Sequence, residues 1–308
     1  MGQKKWIVYV AVVFAMVFWA FSFVWVKEVY VAYGPLTTVF FRLIIATLLM
    51  LIYGWASKKL LKIEKQDYRT FLLLAFFEPF LYFMGESFGL IYVSSTMGAI
   101  IIATIPLFSP IAASRFHGEK LSLRNLIGII LSFIGAGIVV FDDSLNFIAS
   151  PLGIGLEFLA VFSAIGYTVI LKDLSHKYNA TTIITYQNFI GIFFFFPIWL
   201  IFESKTLLNT SFNLPAFIAI VKLALFASCI AFILYTYSLK KLGINNVNIF
   251  INIIPVLTAI FAWYILDEPL TFRKMVGIAV VIAGLFIAQI RMKKFIARLF
   301  SIQQNGGR

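Results

Sequence analysis

Residues 106–121 read PLFSPIAASRFHGEKL, and residues 255–270 read PVLTAIFAWYILDEPL. Each stretch opens on a Pro, runs apolar, and reaches a Glu 13 residues later with a Leu two beyond it. The same offset of 149 residues carries Arg124 onto Arg273, Gly128 onto Gly277 and Gly135 onto Gly284. Over residues 89–141, 14 of 53 positions are identical at that offset. Apolar bias produces some matches, but not aligned Pro, Glu and Gly at fixed intervals. Nearer the start, an offset of 144 carries Ala20 onto Ala164 and Thr37-Thr38 onto Thr181-Thr182. The reading is of two copies of one unit, residues 1–145 and 146–290, followed by a basic tail, 291–308.

Composition says what solvent each unit is made for. The chain is 62% hydrophobic and 12% charged, against roughly 25% charged residues in an average soluble domain. Its mean hydropathy is +0.98. Windows 6–26, 91–114, 178–202 and 242–266 contain no charged side chain, and about 20 such residues cross a bilayer as a helix. Ten helices are predicted: 6–26, 36–55, 70–91, 93–114, 124–141, 151–171, 181–202, 216–238, 244–266 and 273–290. The first window, after Lys4 and Lys5, is too long for a typical signal core and is read as a retained helix. The expected fold is thus all-α and polytopic, five helices per unit. An odd number of spans inserts the second copy upside down, which is the inverted repeat of many secondary transporters, with a site near the midplane.

Charge then sets orientation. Of the 25 Lys and Arg, 19 fall in segments on the side of the N-terminus, four fall on the other side, and Arg42 and Lys222 lie inside helices. By the positive-inside rule both termini are cytoplasmic. The net charge of +12 does not point to nucleic acid, because the basic residues are spread over short loops and the aromatics lie within apolar windows. The tail, with Arg291, Lys293, Lys294 and Arg298 among Phe295, Ile296, Leu299 and Phe300, is expected on the inner lipid surface.

The doubled set Pro106…Glu119…Gly128…Gly135 and Pro255…Glu268…Gly277…Gly284, with GESFGL at 85–90, resembles the EamA family of the drug/metabolite transporter superfamily. The resemblance covers roughly residues 8–290. It implies a ten-helix carrier of the bacterial inner membrane, commonly an exporter of amino acids or other metabolites. It also implies a central cavity between the halves, lined by helices 1, 3, 4, 6, 8 and 9, with helices 5 and 10 peripheral.

Ionisable groups at membrane depth are functional candidates by default. Glu78, Tyr82 and Glu86 form an i, i+4, i+8 stripe on one helix face, and Pro79 removes a backbone donor beside Glu78, so a kink is expected there. Glu78 has no cation at its depth, which makes it a candidate for proton coupling or for holding a substrate ammonium. Its alternative is a neutral acid bonded to a neighbouring helix. Glu157, in the outer third of its helix, is a further candidate for the cavity, and Arg42 lies at the depth of Glu86 and Glu157, so an ion pair with either is expected, serving the cavity or only joining helices. Asn245, Asn248 and Asn252 share a face, as substrate ligands or as interhelical glue. Trp19 and Tyr167 occupy matching places in the two units and are candidates for the cavity wall or for core packing. Tyr186, Gln187 and Asn188 are weaker candidates, and Lys222 is expected to snorkel. Pro106 and Pro255 are candidates for a matched pair of gating helices, whereas Glu119 and Glu268 are expected to cap helices or anchor turns.

No nucleotide-binding loop is present, so coupling has to come from a gradient, protons among the possibilities. No metal or cofactor is expected: Cys229 is the sole cysteine, and His117 and His176 are far apart. An intramembrane enzyme is disfavoured, since no metal cluster and no Ser-plus-base pair is evident. The expected partners are a small-molecule substrate and membrane lipids, and the chain is taken as a monomer or homodimer. The other reading kept open is a lipid-handling or sensing membrane protein. Reporter fusions test the topology: at both chain ends they are expected to give cytoplasmic signals, and ends found on opposite faces of the bilayer remove the five-helix inversion.

Overall fold

The structure, a computed structural model, describes residues 3–117, 123–140 and 149–289. Every described element is helical. Six helices are long and apolar enough to cross a membrane: α1 (Trp6–Tyr30, beginning at Gln3), α2 (Pro35–Ala56), α3 (Lys65–Tyr92), α7 (Pro151–Lys177), α8 (Ala180–Phe202) and α10 (Leu214–Leu242). The others are shorter or interrupted: α4 (Ser95–Ile102), α5 (Ile105–His117), α6 (Leu123–Val140), α9 (Ser204–Leu208), α11 (Ile244–Asn248), α12 (Ile254–Leu266) and α13 (Phe272–Gln289). Glu119, the basic tail and the junction of the two units at 141–148 lie outside the described residues.

The expected window 93–114 is not one helix. Its chain breaks after Ile102 and restarts at Ile105, so Pro106 sits in the first turn of α5. The window 244–266 does the same: α11 gives way to a tight turn, Ile249–Ile253, and α12 begins at Ile254 with Pro255 in its first turn. Proline suits that position, where its missing N–H would have no helical partner. The two prolines therefore start half-helices rather than bend whole ones. In α3 the break falls inside the helix. Glu78 takes an extended conformation, φ −143° and ψ 120°, immediately before Pro79.

Helices pack in pairs. α2 lies on α8, the later part of α3 on α7, α1 on α10 and α12, and α4 on α12 and α7. α6 and α13 pack chiefly on each other, and their backbones meet closely: a Cβ on Gly135 would stand 2.7 Å from Val281 N. Small residues at such crossings are how membrane helices gain contact without a hydrophobic drive. The break in α3 is clasped similarly. The Ser163 hydroxyl of α7 donates to the Phe77 carbonyl, the Phe77 ring lies against Gly166, and Pro79 lies against Gly191 of α8.

Long-range carboxylates close the helix ends. Glu268 accepts from the Ser95 N–H at 2.8 Å and the Thr96 hydroxyl at 2.9 Å, which caps α4. Glu203 accepts from Leu36 N–H at 3.1 Å and Thr37 N–H at 2.7 Å, which caps α2. At the other end of the bundle, Asp67 takes Lys177 Nζ at 3.0 Å and the Tyr178 hydroxyl at 2.8 Å. An anion at the first turn satisfies bare N–H groups and complements the helix dipole. Glu268→Ala removes such a cap and is expected to cost about 0.5–2 kcal/mol, read as a lower melting temperature of the purified protein. Melting unchanged from wild type would show that the contact is not a cap of consequence.

Candidate functional site

A buried cavity occupies the centre of the bundle, at the place where the helix breaks meet. Ile102 and Ile105 line it from either side of the α4–α5 break, Ile251 and Ile254 from the α11–α12 break, and Glu78 from the break in α3. Irregular backbone at membrane depth is tolerated where it lines such a space. The free volume is about 60 Å³, room for a handful of waters on the scale where one needs roughly 10–15 Å³.

Three ionisable side chains face this space: Arg42 from α2, and Glu78 and Glu86 from α3. All three are buried. The stripe of Glu78, Tyr82 and Glu86 points inward as its spacing requires, and the Tyr82 hydroxyl donates to Glu86 Oε1 at 3.0 Å. Arg42 does not form the expected ion pair with Glu86 or Glu157 among the described residues. Its guanidinium lies 4.3 Å from the centroid of the Phe83 ring, and Nε donates to Ser228 Oγ of α10 at 2.6 Å. A planar guanidinium can stack and donate sideways at once.

The opposite wall is aromatic. Trp19 of α1 packs against Phe232 and Tyr235 of α10 at 5.2 and 5.0 Å between centroids, and Tyr167 of α7 meets Phe232 edge-on at 6.1 Å. Each polar tip on this wall is held: Trp19 Nε1 donates to Ala227 O at 3.3 Å, and the Tyr167 hydroxyl donates to Gln187 Oε1 at 3.1 Å. Ser22 and Thr168 also line the cavity, their hydroxyls turned to Trp19 O and Ala164 O.

Other expected residues lie off this wall. Glu157 is buried where α7 meets α3 and α4. Asn248 is one layer out, accepting from the Tyr235 hydroxyl at 3.0 Å and donating to Ser109 Oγ at 3.2 Å. Asn252 is buried in the turn before α12, with its Oδ1 unpartnered. Pro106 and Pro255 each stand one residue beyond a lining isoleucine. The Asn245 side chain is outside what the structure describes. Tyr186 packs on Phe71, and Asn188 is buried with its Nδ2 unpartnered. Lys222 reaches out to Glu28 at 3.9 Å and lies 5.9 Å from the Trp25 ring.

Sequence reading missed Ser228, Phe232 and Tyr235. One signal was available for Tyr235: it stands 149 residues after Glu86, the offset that relates the two quoted stretches. Among the described residues, no group of three or more His, Cys, Asp or Glu is placed to hold a metal ion.

A membrane-spanning helical bundle enclosing a small cavity, polar on one wall and aromatic on the other, is the build of a solute carrier. The comparisons agree. The model of the EamA-like transporter family matches residues 6–141 and again 151–289, and the chain belongs to that family. An uncharacterized transporter of Archaeoglobus fulgidus is 27% identical over 285 residues, covering 92% of this chain and 98% of its own. The uncharacterized transporter YetK of Bacillus subtilis is 27% identical over 258 residues, covering 82% and 77%. A solved crystal structure at 13% identity covers 93% of this chain and 97% of its own with a TM-score of 0.69, a likeness of fold. The protein is therefore an integral membrane transporter, of a family of transporters and not of enzymes.

Arg42 is held between Phe83 of α3 and Ser228 of α10. Arg42→Lys keeps the charge but loses the stacked plane and the side-on donor. It is expected to destabilise the protein by about 1.5–3 kcal/mol, measured by thermal unfolding in detergent. An unshifted melting curve would mean that the Ser228 contact contributes nothing.

Proposed function

We propose that the protein is a secondary carrier that exports a small zwitterionic metabolite, an amino acid or a close relative, by alternating access at the central cavity. The observation that carries this reading is the make-up of that cavity. One guanidinium, Arg42, and two carboxyls, Glu78 and Glu86, share one space with the aromatic wall of Trp19, Tyr167, Phe232 and Tyr235. An amino acid offers the complement: a carboxylate for Arg42, an ammonium for Glu78 or Glu86, and an apolar side chain for the rings. Cations over aromatic faces add to such binding. Asn248, through Tyr235, and Asn252 then act behind the wall, and Pro106 and Pro255 mark where two half-helices begin to move.

Ten spans in two inverted units, 1–145 and 146–290, are the architecture we infer. A family model that matches twice, once on each side of residue 150, supports it. So does the placement of the two prolines at equivalent helix breaks beside one cavity. Such carriers rock their repeats about a fixed site. The space is about 60 Å³ in this arrangement, and substrate enters when the walls part. At the end that the loop charges put outside, parting would release the caps made by Glu203 and Glu268 on α2 and α4. We place the protein in the bacterial inner membrane with both termini cytoplasmic.

Counterflow in vesicles reconstituted with the purified protein tests the substrate class. Labelled neutral L-amino acids with apolar side chains are expected to exchange. Glu78→Gln is expected to lower that flux at least about tenfold, equivalent to about 1.4 kcal/mol. Exchange that ignores Glu78→Gln would dismiss the proposed ammonium site, and exchange of no zwitterion at all would dismiss the substrate class.

A further inference from the structure

One buried acid has no part in the cavity. Glu157, on α7, is 0% exposed, and neither carboxyl oxygen has a hydrogen-bond partner. Two glycines make its place. A Cβ on Gly89 of α3 would stand 2.9 Å from Oε1, and one on Gly98 of α4 would stand 3.1 Å from the same atom. The carboxyl is thus inserted into the contact of three helices, against backbone where other residues would put side chains.

The ionisable groups around it are all engaged elsewhere. From α1, Lys27 Nζ donates to the carbonyls of Leu90 and Val93, the latter at 2.8 Å, and the Tyr30 hydroxyl donates to Ser87 O at 2.7 Å. From α3, Glu86 accepts from Tyr82. From α4, Gly98 and its neighbours bring no titratable group. None of these groups reaches Glu157, and no ion pair includes it among the described residues. Glu86, one turn before Gly89 on the same helix, does line the substrate cavity. The site therefore adjoins the cavity through α3, and the Glu157 side chain is out of reach of water in this arrangement.

A bare carboxylate in so dry a place costs several kcal/mol, and an acidic proton removes that cost. Buried polar groups left without partners in a native structure call for an explanation of this kind. We propose that Glu157 is a proton-binding site separate from the substrate cavity, and that its proton is the one exchanged for substrate. In the closed arrangement the carboxyl holds its O–H bond. When α3 and α4 part from α7, water reaches the carboxyl and the O–H bond breaks. The proton leaves to that water, and the carboxylate remains solvated by it. Rebinding of a proton from the other side allows the helices to close again. The exchange half of this proposal rests on the transporter reading above. The proton-binding half does not.

Two measurements on the full-length reconstituted protein separate them. Infrared difference spectra over a pH series, in H2O and D2O, are expected to show a protonated-carboxyl C=O band that shifts in D2O. The band should be lost in Glu157→Gln and kept in Glu78→Gln. A band set unchanged by Glu157→Gln overturns the proton site. In vesicles, L-leucine accumulation driven by a proton gradient is expected to be lost in Glu157→Gln and partly restored in Glu157→Asp, which also guards against a misfolded variant. Accumulation that survives Glu157→Gln, or that follows a sodium gradient instead, overturns the exchange. If wild-type protein moves neither L-leucine nor any other zwitterion, the proposed substrate class fails, and the infrared band alone decides the proton site.

Discussion

A bilayer offers no water to a polar group, and that constraint shapes every element of this structure. Backbone N–H and C=O groups that a helix leaves open at its ends must find partners within the protein. Here they find them far along the chain. Glu268 closes the start of α4 from 173 residues away, and Glu203 closes the start of α2 from 166 and 167 residues away. Lys27 takes the last carbonyls of α3. Lipid tails are as apolar as leucine, so burial alone gives membrane helices little reason to choose one neighbour over another. Polar closure of helix ends supplies that choice, and it ties the early helices to the late ones.

The same constraint explains where the cavity lies. Interrupting a helix frees backbone groups, and in lipid each freed group is costly. Three interruptions, at Glu78, after Ile102 and around Ile251, are brought to one central space. Gathered there, they share the polar side chains that relieve them, as Ser163 relieves Phe77. A site assembled from interrupted helices is also where the regular α-helical ladder is weakest: it is broken at Glu78 and replaced by shorter-range turns after Ile102 and at Ile249–Ile253. Binding and movement therefore use the same residues on the proposed reading.

Much of this was legible in the residues. The apolar windows located the helices, and the Glu78, Tyr82, Glu86 spacing located the inward face of α3, because a helical stripe of ionisable groups has nowhere else to go. Pro79 announced the break beside Glu78. Hidden were the partners that depend on tertiary approach. Arg42 was matched by depth to acids, yet it found Ser228, 186 residues on, and the ring of Phe83. Depth fixes one coordinate, and rotation about the helix axis fixes the partner. Glu157 was placed in the cavity by the same reasoning about depth. Gly89 and Gly98 instead let it sink between helices, and no spacing within α7 reports a glycine on α3. The break after Ile102 was hidden too, since Pro106 reads equally well as a kink within a helix and as the start of one.

The arrangement of charge around Arg42 carries the functional argument further. Had Arg42 paired directly with Glu86, the two would have satisfied each other, and the cavity would hold a structural ion pair with little to offer a ligand. Instead the guanidinium is steadied by a hydroxyl and a ring, neither of which neutralises it. Tyr82 steadies Glu86 in the same neutral fashion. Both ends of a potential pair are thus oriented without a direct ion pair between them, across a space of about 60 Å³. On the proposed reading, binding energy from a zwitterion is then available at both ends at once, and it comes without first breaking a bond between the two. A carrier needs that property: a site preorganised enough to choose its cargo, yet not so well satisfied on its own that cargo has nothing to add.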